Sequence, residues 1–273
     1  MEKTKYNNST VNNHGTINSI VYNGGHVNNY ADGVIGSITN TEAHGYFNNE
    51  GTVTGNVNTN STFNNSGTVQ GTYTNGGILH NAGTLNAVVN NSSVNNHAGA
   101  TIASVTNNSN LDNFGTVGNW INNDTVNNSG TMGNGTNNAG ATFGNSGTVG
   151  DVNNFGAFNN YYDGTVGAVT LNTGSTFVND GTAASVDNTA GLTFTNAGTI
   201  TGLLANAGNV TNTGTVGSVT NTGTITNTGT VGDVTNTGTF TQSSGSVGAV
   251  NNAGTFTYTG GTLSSINNTG GLN

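Results

Sequence analysis

The chain has 273 residues and a formal net charge of −9, and its only lysine or arginine residues are Lys3 and Lys5. Without a cationic surface it has nothing to neutralise phosphates, which excludes nucleic-acid binding and electrostatic attraction to anionic membranes. Its 45 glycines and the lack of proline favour strands and turns over a helical protein. The absence of cysteine rules out a disulfide framework. The 5% of charged residues argues against a highly charged disordered chain.

Residues 1–10 read as a polar N-terminal leader. They contain no apolar core of the kind that a conventional signal peptide needs. No later apolar run approaches the length of a membrane span, so we expect no membrane insertion. Residues 11–273 are predicted to form a single β-solenoid repeat domain, because one short phrase recurs along them.

The repeat is most regular at residues 210–239, where a 15-residue phrase beginning Val/Ile-Thr-Asn-Thr-Gly-Thr-Val-Gly occurs twice in succession. Such a short repeat has no hydrophobic face large enough to fold alone, and it gains stability only by stacking on copies of itself. We number each repeat from an apolar residue that usually precedes asparagine by two positions. The repeats then start at Val11, Val27, Phe47, Phe63, Leu79, Val94, Leu111, Val126, Phe143, Phe158, Phe177, Phe194, Val210, Ile225, Phe240 and Phe256.

The spacing of the apolar residues decides the fold class. In the regular repeats these residues stand at positions 1, 7 and 10, as Val210, Val216 and Val219 do. These intervals do not fit a 3.6-residue helical period, and the valine, threonine and phenylalanine at periodic sites favour short strands separated by turns. The sequence therefore predicts an all-β fold, a parallel β-solenoid with about 16 coils of roughly 15–17 residues.

Two repeats are longer than the rest, and each contains an inserted turn. The insertions are Tyr30-Ala-Asp-Gly33 and Tyr161-Tyr-Asp-Gly164. Asp-Gly favours tight turns in which the glycine has a positive φ. Both segments are therefore predicted to be bulging corners of the coil.

Asparagine occupies position 3 of every repeat except two, in which Gln242 and Tyr258 replace it. Strand alternation puts positions 1 and 3 on the same side, so these amides should face the core and need partners there. The equivalent residue of the next coil lies about 4.8 Å away, which lets amides bond to one another as an inward ladder. A role limited to turning the chain in the left-handed conformation would admit more glycine and aspartate, so the ladder is favoured. The predicted ladder residues are Asn13, Asn29, Asn49, Asn65, Asn81, Asn96, Asn113, Asn128, Asn145, Asn160, Asn179, Asn196, Asn212 and Asn227.

The aromatic residues are predicted to belong to the core. Phe143, Phe158, Phe177 and Phe194 occupy position 1 in four consecutive repeats, which would stack their rings inside the solenoid. Trp120 is likewise predicted to be a core residue rather than a ligand platform.

The histidines give no sign of a metal centre, because they stand at different repeat positions and show no metal-binding spacing. We expect surface histidines, no metal and no cofactor. They are His14, His26, His44, His80 and His97.

The acidic residues avoid equivalent positions of adjacent repeats, where like charges would repel. Asp112 and Asp124 share a repeat, as do Asp180 and Asp187, but nothing in the sequence places either pair in a cleft, as glycoside hydrolysis requires. The chain is therefore predicted not to be an enzyme.

The C-terminal repeat, residues 256–273, keeps the pattern to its last residue and shows no polar cap. Open edges at the two ends of a solenoid would let copies stack head to tail into an open filament. The alternative is that the chain is a fragment of a longer array.

The phrases Asn-x-Gly-Thr-Val and Val-Thr-Asn-Thr-Gly-Thr, with low charge and richness in threonine, asparagine and glycine over residues 11–273, resemble the β-strand repeats of large bacterial surface proteins. These include autotransporter and filamentous haemagglutinin-like adhesins and the β-solenoid fibres of biofilm matrices. The resemblance rests on composition and period, and the coils here are unusually short. It implies a parallel β-solenoid, an extracellular or cell-surface location and a role in adhesion or matrix.

We therefore expect a structural extracellular protein whose subunits stack head to tail, through uncapped ends, into surface or biofilm-matrix fibres. One alternative is an adhesin segment that binds a glycan or a host protein through a face rich in threonine and asparagine. Another is ice binding, since a compact β-solenoid can present threonine arrays. Thr-x-Thr occurs at residues 211–213, 226–228, 235–237, 239–241 and 257–259, whereas the first half of the chain mostly has asparagine at those sites.

Overall fold

The computed structural model describes residues 10–22, 25–188 and 191–273. The chain divides after Asn134 into two compact units, which we call the N-terminal unit and the C-terminal unit. Within each unit the described regular elements are all strands, paired in parallel. The predicted fold class is confirmed, since each unit is a parallel β-solenoid and together they contain about 16 coils.

The predicted leader, residues 1–10, lies outside the described residues except for Thr10, which begins the first strand, and the single-domain assignment stays a prediction. Among the described residues no helix is long and apolar enough to cross a membrane.

Each coil contributes one strand to each of two sheets. In the coil that starts at Val210, the short strand is Asn209–Asn212 and the long strand is Thr215–Asn221. Both strands end at a buried asparagine, and a threonine-glycine corner follows each of them. Several long strands are interrupted near their middle, where the regular repeats have glycine.

Within each unit the short strands form one sheet, which we call the first sheet. In the N-terminal unit they are Thr10–Asn13, His26–Asn29, Tyr46–Asn49, Thr62–Asn65, Ile78–Asn81, Ser93–Asn96, Asn110–Asn113 and Thr125–Asn128. In the C-terminal unit they are Thr142–Asn145, Ala157–Asn160, Thr176–Asn179, Thr193–Asn196, Asn209–Asn212, Thr224–Asn227, Thr239–Gln242, Thr255–Tyr258 and Gly271–Leu272.

Within each unit the long strands form another sheet, which we call the second sheet. In the N-terminal unit they are Thr16–Ile17 with Ile20–Tyr22, Val34–Ile35 with Ile38–Asn40, Thr52–Val53 with Val57–Thr59, Thr68–Asn75, Thr84–Asn90, Thr101–Asn107, Thr116–Asn122 and Thr131–Met132. In the C-terminal unit they are Gly135–Asn137, Thr148–Val149 with Val152–Asn154, Thr165–Leu171, Thr182–Asn188, Thr199–Asn206, Thr215–Asn221, Thr230–Asn236, Ser246–Asn252 and Thr262–Asn268.

The apolar positions 1, 7 and 10 line the interior. Val210, Val216 and Val219 are all buried, and each pairs with the equivalent residue of the next coil. The register between long strands shifts locally at a few steps, between Val69 and Thr72 for example, but apolar residues still pair from coil to coil on both sides of each shift. Side chains of this size stabilise the fold by roughly 1.5–3 kcal/mol each when they are fully buried.

The aromatic core is confirmed. In the C-terminal unit the rings of Phe143, Phe158, Phe177 and Phe194 follow one another at centroid distances of 5.1, 5.8 and 5.8 Å, and all four are buried. In the N-terminal unit the Trp120 side chain is also buried, and its indole N–H donates to the Gly133 carbonyl at 2.7 Å. The indole therefore has both an apolar surrounding and a hydrogen-bond partner.

Both inserted segments are turns, as predicted. The Gly33 N–H donates to the Tyr30 carbonyl at 2.7 Å, and the Gly164 N–H donates to the Tyr161 carbonyl at 2.8 Å. The expected positive φ is wrong for both glycines. Glycine is required there by close approach: a Cβ on Gly33 would lie 2.6 Å from the Asn13 carbonyl oxygen of the preceding coil.

Candidate functional site

The position-3 asparagines form a buried amide ladder, which we call the first ladder. In the N-terminal unit each amide donates one N–H to the amide oxygen of the next coil, as Asn65 does to Asn81 at 2.8 Å. The second N–H of Asn65 donates to the carbonyl of Gly67 at 3.2 Å. The rungs of this unit, at 2.7–2.8 Å, join Asn13, Asn29, Asn49, Asn65, Asn81, Asn96, Asn113 and Asn128.

The first ladder of the C-terminal unit has the same geometry and one variation. Its rungs, at 2.7–2.9 Å, join Asn145, Asn160, Asn179, Asn196, Asn212 and Asn227. Asn227 then donates to the side-chain oxygen of Gln242 at 2.7 Å, so the longer amide of glutamine still accepts a rung. Tyr258 is 40% exposed and bonds to Gly261 instead.

The inward ladder is confirmed, and a role limited to left-handed turns is wrong. All the predicted ladder asparagines are buried, none more than 4% exposed. No non-glycine residue in the described part of the chain has a positive φ. The asparagines therefore sit in strand conformation, and it is the corner residues after them that turn the chain.

A second ladder at position 12 was not predicted. It ends the long strands and has rungs of 2.6–2.9 Å. In the N-terminal unit it joins Asn75, Asn90, Asn107 and Asn122. In the C-terminal unit it joins Asn137 to Asn154, and then Asn188, Asn206, Asn221, Asn236, Asn252 and Asn268.

The signal for the second ladder was present in the sequence. Val210-Thr-Asn212 and Val219-Thr-Asn221 are the same phrase, so each regular repeat contains two copies of one strand ending. In two coils other residues replace the asparagine of the second ladder. Thr59 and Ser61 bond to Asn40 in one of them. Leu171 fills the site with a buried apolar side chain in the other.

Both ladders have a fixed direction. In each unit every rung runs from the amide N–H of one coil to the amide oxygen of the following coil. Each buried amide thus satisfies both its donors and its acceptor. Aligned hydrogen bonds polarise one another in a low-dielectric interior, so an intact ladder favours one coil-to-coil register over all others.

The corner glycines let the coils approach this closely. A Cβ on Gly214 would lie 2.5 Å from the Ala197 carbonyl oxygen and closer still to that of Gly198 in the coil before it. Gly67 has the same relation to Glu50 and Gly51 in the N-terminal unit. Such contacts are too short for any side chain, so this position requires glycine for space rather than for its φ.

The outer surface of the short strands differs between the units. In the N-terminal unit an exposed amide row runs along position 2, in which Asn28 donates to Asn12, Asn48 to Asn28 and Asn64 to Asn48 at 2.8–2.9 Å. These bonds point to the preceding coil, opposite to those of the buried ladder. The amide dipoles on the two sides of each strand therefore oppose one another.

In the C-terminal unit the same surface is rich in threonine, and we call it the threonine face. Its side chains point outward in register from adjacent short strands. In the Thr-x-Thr phrases 211–213, 226–228, 235–237 and 257–259 the second threonine is also exposed, but it lies in a corner after the last residue of the strand. The threonine face consists of Thr193, Thr195, Thr211, Thr224, Thr226, Thr239, Thr241, Thr255 and Thr257.

A further threonine row begins the long strands at position 6. It was not singled out in the sequence, although a Gly-Thr-apolar phrase marks it in most repeats. In the C-terminal unit the register joins Thr148, Thr165, Thr182, Thr199, Thr215 and Thr230 in consecutive coils.

The predicted surface histidines make local contacts. His14 Nδ1 lies 3.0 Å from Asp32 Oδ1, and its ring stacks on Tyr30 at 4.2 Å. The rings of His80 and His97 stack at 5.9 Å. Within the described residues no three histidine, aspartate or glutamate side chains are grouped so as to hold a metal ion.

Some aspartates accept hydrogen bonds from neutral groups of adjacent coils. Asp112 accepts from the amide of Asn127 at 2.8 Å, and Asp233 accepts from the backbone N–H of Ala249 at 3.0 Å. Asp180 lies in a corner, whereas Asp187 lies on the outer side of a long strand.

The chain matches no family model, no curated protein and no solved structure. The resemblance to bacterial surface proteins therefore stays a prediction, as does the extracellular location. Function has to be argued from the ladders, the corners and the outer faces themselves.

Proposed function

We propose that the chain is a structural protein, a β-solenoid subunit of surface or matrix fibres that stacks head to tail on further copies of itself. The observation that supports this is the uniformity of the coil-to-coil contact. Within each unit, backbone pairing and two amide ladders repeat the same bonds in the same direction. A surface that is complementary to its own neighbour at each step is also complementary to an equivalent coil of another copy.

The coil formed by residues 256–273 presents the next such surface. Leu263 and Ile266 in its long strand are half-buried, whereas the equivalent Val231 and Val234 are fully buried between two coils. A following coil would cover these two apolar side chains and pair with the backbone of residues 262–268. A coil of the same chain and a coil of a second copy would do so by the same contacts.

Composition supports an extracellular setting. After Lys5 the chain offers no lysine or arginine, so trypsin-like proteases have no cleavage site in the repeats. The surface rows of threonine and asparagine are neutral and stack without repulsion. A fibre built from them would resist both proteolysis and changes in ionic strength.

Electron microscopy of the purified full chain over a concentration series tests the proposal. We expect unbranched filaments with an axial repeat of about 4.8 Å in diffraction. Replacing Leu263 and Ile266 with aspartate should abolish elongation, because charges would be buried between copies. Ser264→Asp, on the exposed side of the same strand, is the matched control and should still elongate. Discrete particles at every concentration would refute the proposal.

The threonine face favours a second candidate function, ice binding. Its side chains form two parallel rows, with about 6.6 Å between neighbours along a strand and about 4.8 Å between coils. Hydroxyl and methyl groups repeated on a rigid sheet can order a layer of water in two dimensions. Thermal hysteresis of the full chain tests this candidate. We expect activity that Thr226→Tyr abolishes, and an absence of hysteresis in the unmodified protein would remove it.

A further inference from the structure

The two inserted corners are copies of one structural motif. Asn-Tyr-x-Asp-Gly in one coil is followed, in the next coil, by an acidic residue, glycine and threonine. The copies are residues 29–33 with 50–52, and residues 160–164 with 180–182. In each copy the ladder asparagine donates to the carbonyl of the turn glycine at 3.2 Å. The backbones match, so differences between the copies come from their side chains.

In the copy in the N-terminal unit, the tyrosine ring and the aspartate carboxylate both contact another residue of the chain. The Tyr30 ring stacks on the imidazole of His14 at 4.2 Å, and the Asp32 carboxylate lies 3.0 Å from the same imidazole. The middle residue of this turn is Ala31. The ring and the carboxylate of this corner are therefore engaged within the chain.

The copy in the C-terminal unit presents an aromatic ring to solvent. Tyr161 lies against Gly144, where a Cβ would be 3.0 Å from its ring. Tyr162 takes the place of Ala31, and it is 85% exposed. Tyr162 is the most exposed large apolar side chain of the described residues, and its neighbour Tyr161 is 50% exposed. Adjacent exposed rings mark interaction sites.

Tyr162 stands at one end of an open groove of about 620 Å³ in the C-terminal unit. The corner glycines Gly181, Gly198 and Gly214 line it, and so does the exposed Asp180. A groove of this volume is within the range of small-ligand sites. The glycines keep the groove open, because none of them carries a side chain.

A row of threonine hydroxyl groups also lines the groove. Thr182, Thr199 and Thr215 line the groove from successive coils and pair in register. From the inserted corner to the coil of Thr215 there are three coil steps, or about 14 Å. The groove therefore suits an extended ligand with repeated polar groups rather than a single small ring.

Charge narrows the ligand class further. The chain carries a net charge of −9 and no lysine or arginine after Lys5, so an anionic ligand would meet only repulsion here. A neutral sugar chain has C–H faces that pack on an aromatic ring and hydroxyl groups that donate to a carboxylate and exchange hydrogen bonds with threonine.

We propose that the groove between Tyr162 and Thr215 binds a neutral linear oligosaccharide. Tyr162 stacks on the C–H face of one sugar ring, and the Asp180 carboxylate accepts from hydroxyl groups of the same ring. The threonine row bonds to the hydroxyl groups of the following rings. This site is independent of filament formation, since it lies on the outer surface of the coils.

Binding of short linear oligomers of glucose, mannose and N-acetylglucosamine to the full chain, screened on an array and measured by calorimetry, tests the proposal. We expect at least one neutral series to bind. Tyr162→Ala should weaken its affinity about three- to tenfold through loss of the stacked ring. Asp180→Asn should weaken it about fivefold, because a neutral acceptor makes weaker hydrogen bonds.

Tyr30→Ala, at the corner whose ring is engaged by His14, is the matched control and should bind as the unmodified chain does. Because Tyr162 is exposed, its variant should retain the circular dichroism spectrum of the unmodified protein. Absence of binding to every neutral series would overturn the proposal, as would binding that Tyr162→Ala leaves unchanged. A protein ligand or an acidic sugar bound in place of neutral ones would overturn it too.

Discussion

The two units of this protein have the same kind of interior, but their outer surfaces differ. Inside both, apolar columns and two amide ladders repeat with nearly constant rung lengths. Outside, the short strands of the N-terminal unit carry bonded asparagines such as Asn28 and Asn48, whereas those of the C-terminal unit carry threonines such as Thr211 and Thr226. The coil is thus specified by its inward positions, and the outward positions are left to determine what each unit contacts.

This division has a physical basis. A buried amide has no water to replace a lost partner, so a polar residue at a ladder position must both donate and accept, and a wholly apolar side chain such as Leu171 fills the site where the amide is absent. An outward side chain on the same strand is solvated whether or not it bonds to a neighbour. Selection on binding can therefore act on one side of a strand without disturbing the other side.

The strongest test of the shared interior removes one rung in each unit. Asn196→Ala and Asn65→Ala should each lower the free energy of unfolding by roughly 2–6 kcal/mol, because two buried neighbours lose a partner at about 1–3 kcal/mol each. Denaturant titration followed by circular dichroism measures the change. The outward neighbours on the same strands give the controls Thr195→Ala and Asn64→Ala, for which we expect about 0.5 kcal/mol. A clearly smaller loss in one unit would show that the interiors are not equivalent.

A smaller effect is expected from filling a corner. In Gly67→Ala the new methyl group would press on the backbone of Glu50 and Gly51 in the coil before it, which should cost about 1–3 kcal/mol. Gly15 holds the equivalent corner of the first described coil, and a Cβ there would meet nothing within 4 Å. Gly15→Ala is therefore the matched control. Equal thermal unfolding midpoints for the two variants would contradict the steric explanation.

The first ladder was predictable because a single rule, strand alternation from position 1, shows that its asparagine side chains face inward. Asn212 follows Val210 by two residues, so both had to face inward. The second ladder follows the same rule from Val219 to Asn221, but numbering each repeat from one apolar residue hid its equivalence. The sequence identified the glycine of each inserted turn but not why glycine is needed there. The need comes from the neighbouring coil, because any side chain at Gly33 would clash with the backbone of that coil.

The outer faces could not be derived in the same way. Whether Thr213 shares a face with Thr211 depends on where the strand ends, and the strand ends at Asn212, so Thr213 belongs to the corner. The contact of His14 with Tyr30 and the exposure of Tyr162 depend on the register between coils and on neighbouring side chains. Such contacts join residues far apart in the sequence, and a periodic pattern carries no information on individual exceptions to it.

The smallest expected effect comes from exchanging the outer surfaces. Asn48→Thr in the N-terminal unit and Thr226→Asn in the C-terminal unit should each change the free energy of unfolding by about 0.5 kcal/mol or less. Asn48 loses bonds to Asn28 and Asn64, but water replaces them, and the β-branched threonine favours the strand conformation. Denaturant titration compares both variants with Asn65→Ala. If Asn48→Thr cost as much as removing a buried rung, the exposed amide row would belong to the structural framework. We therefore expect the two units to tolerate each other's surface chemistry, whereas an alanine that leaves a buried amide without its partner should destabilise either unit.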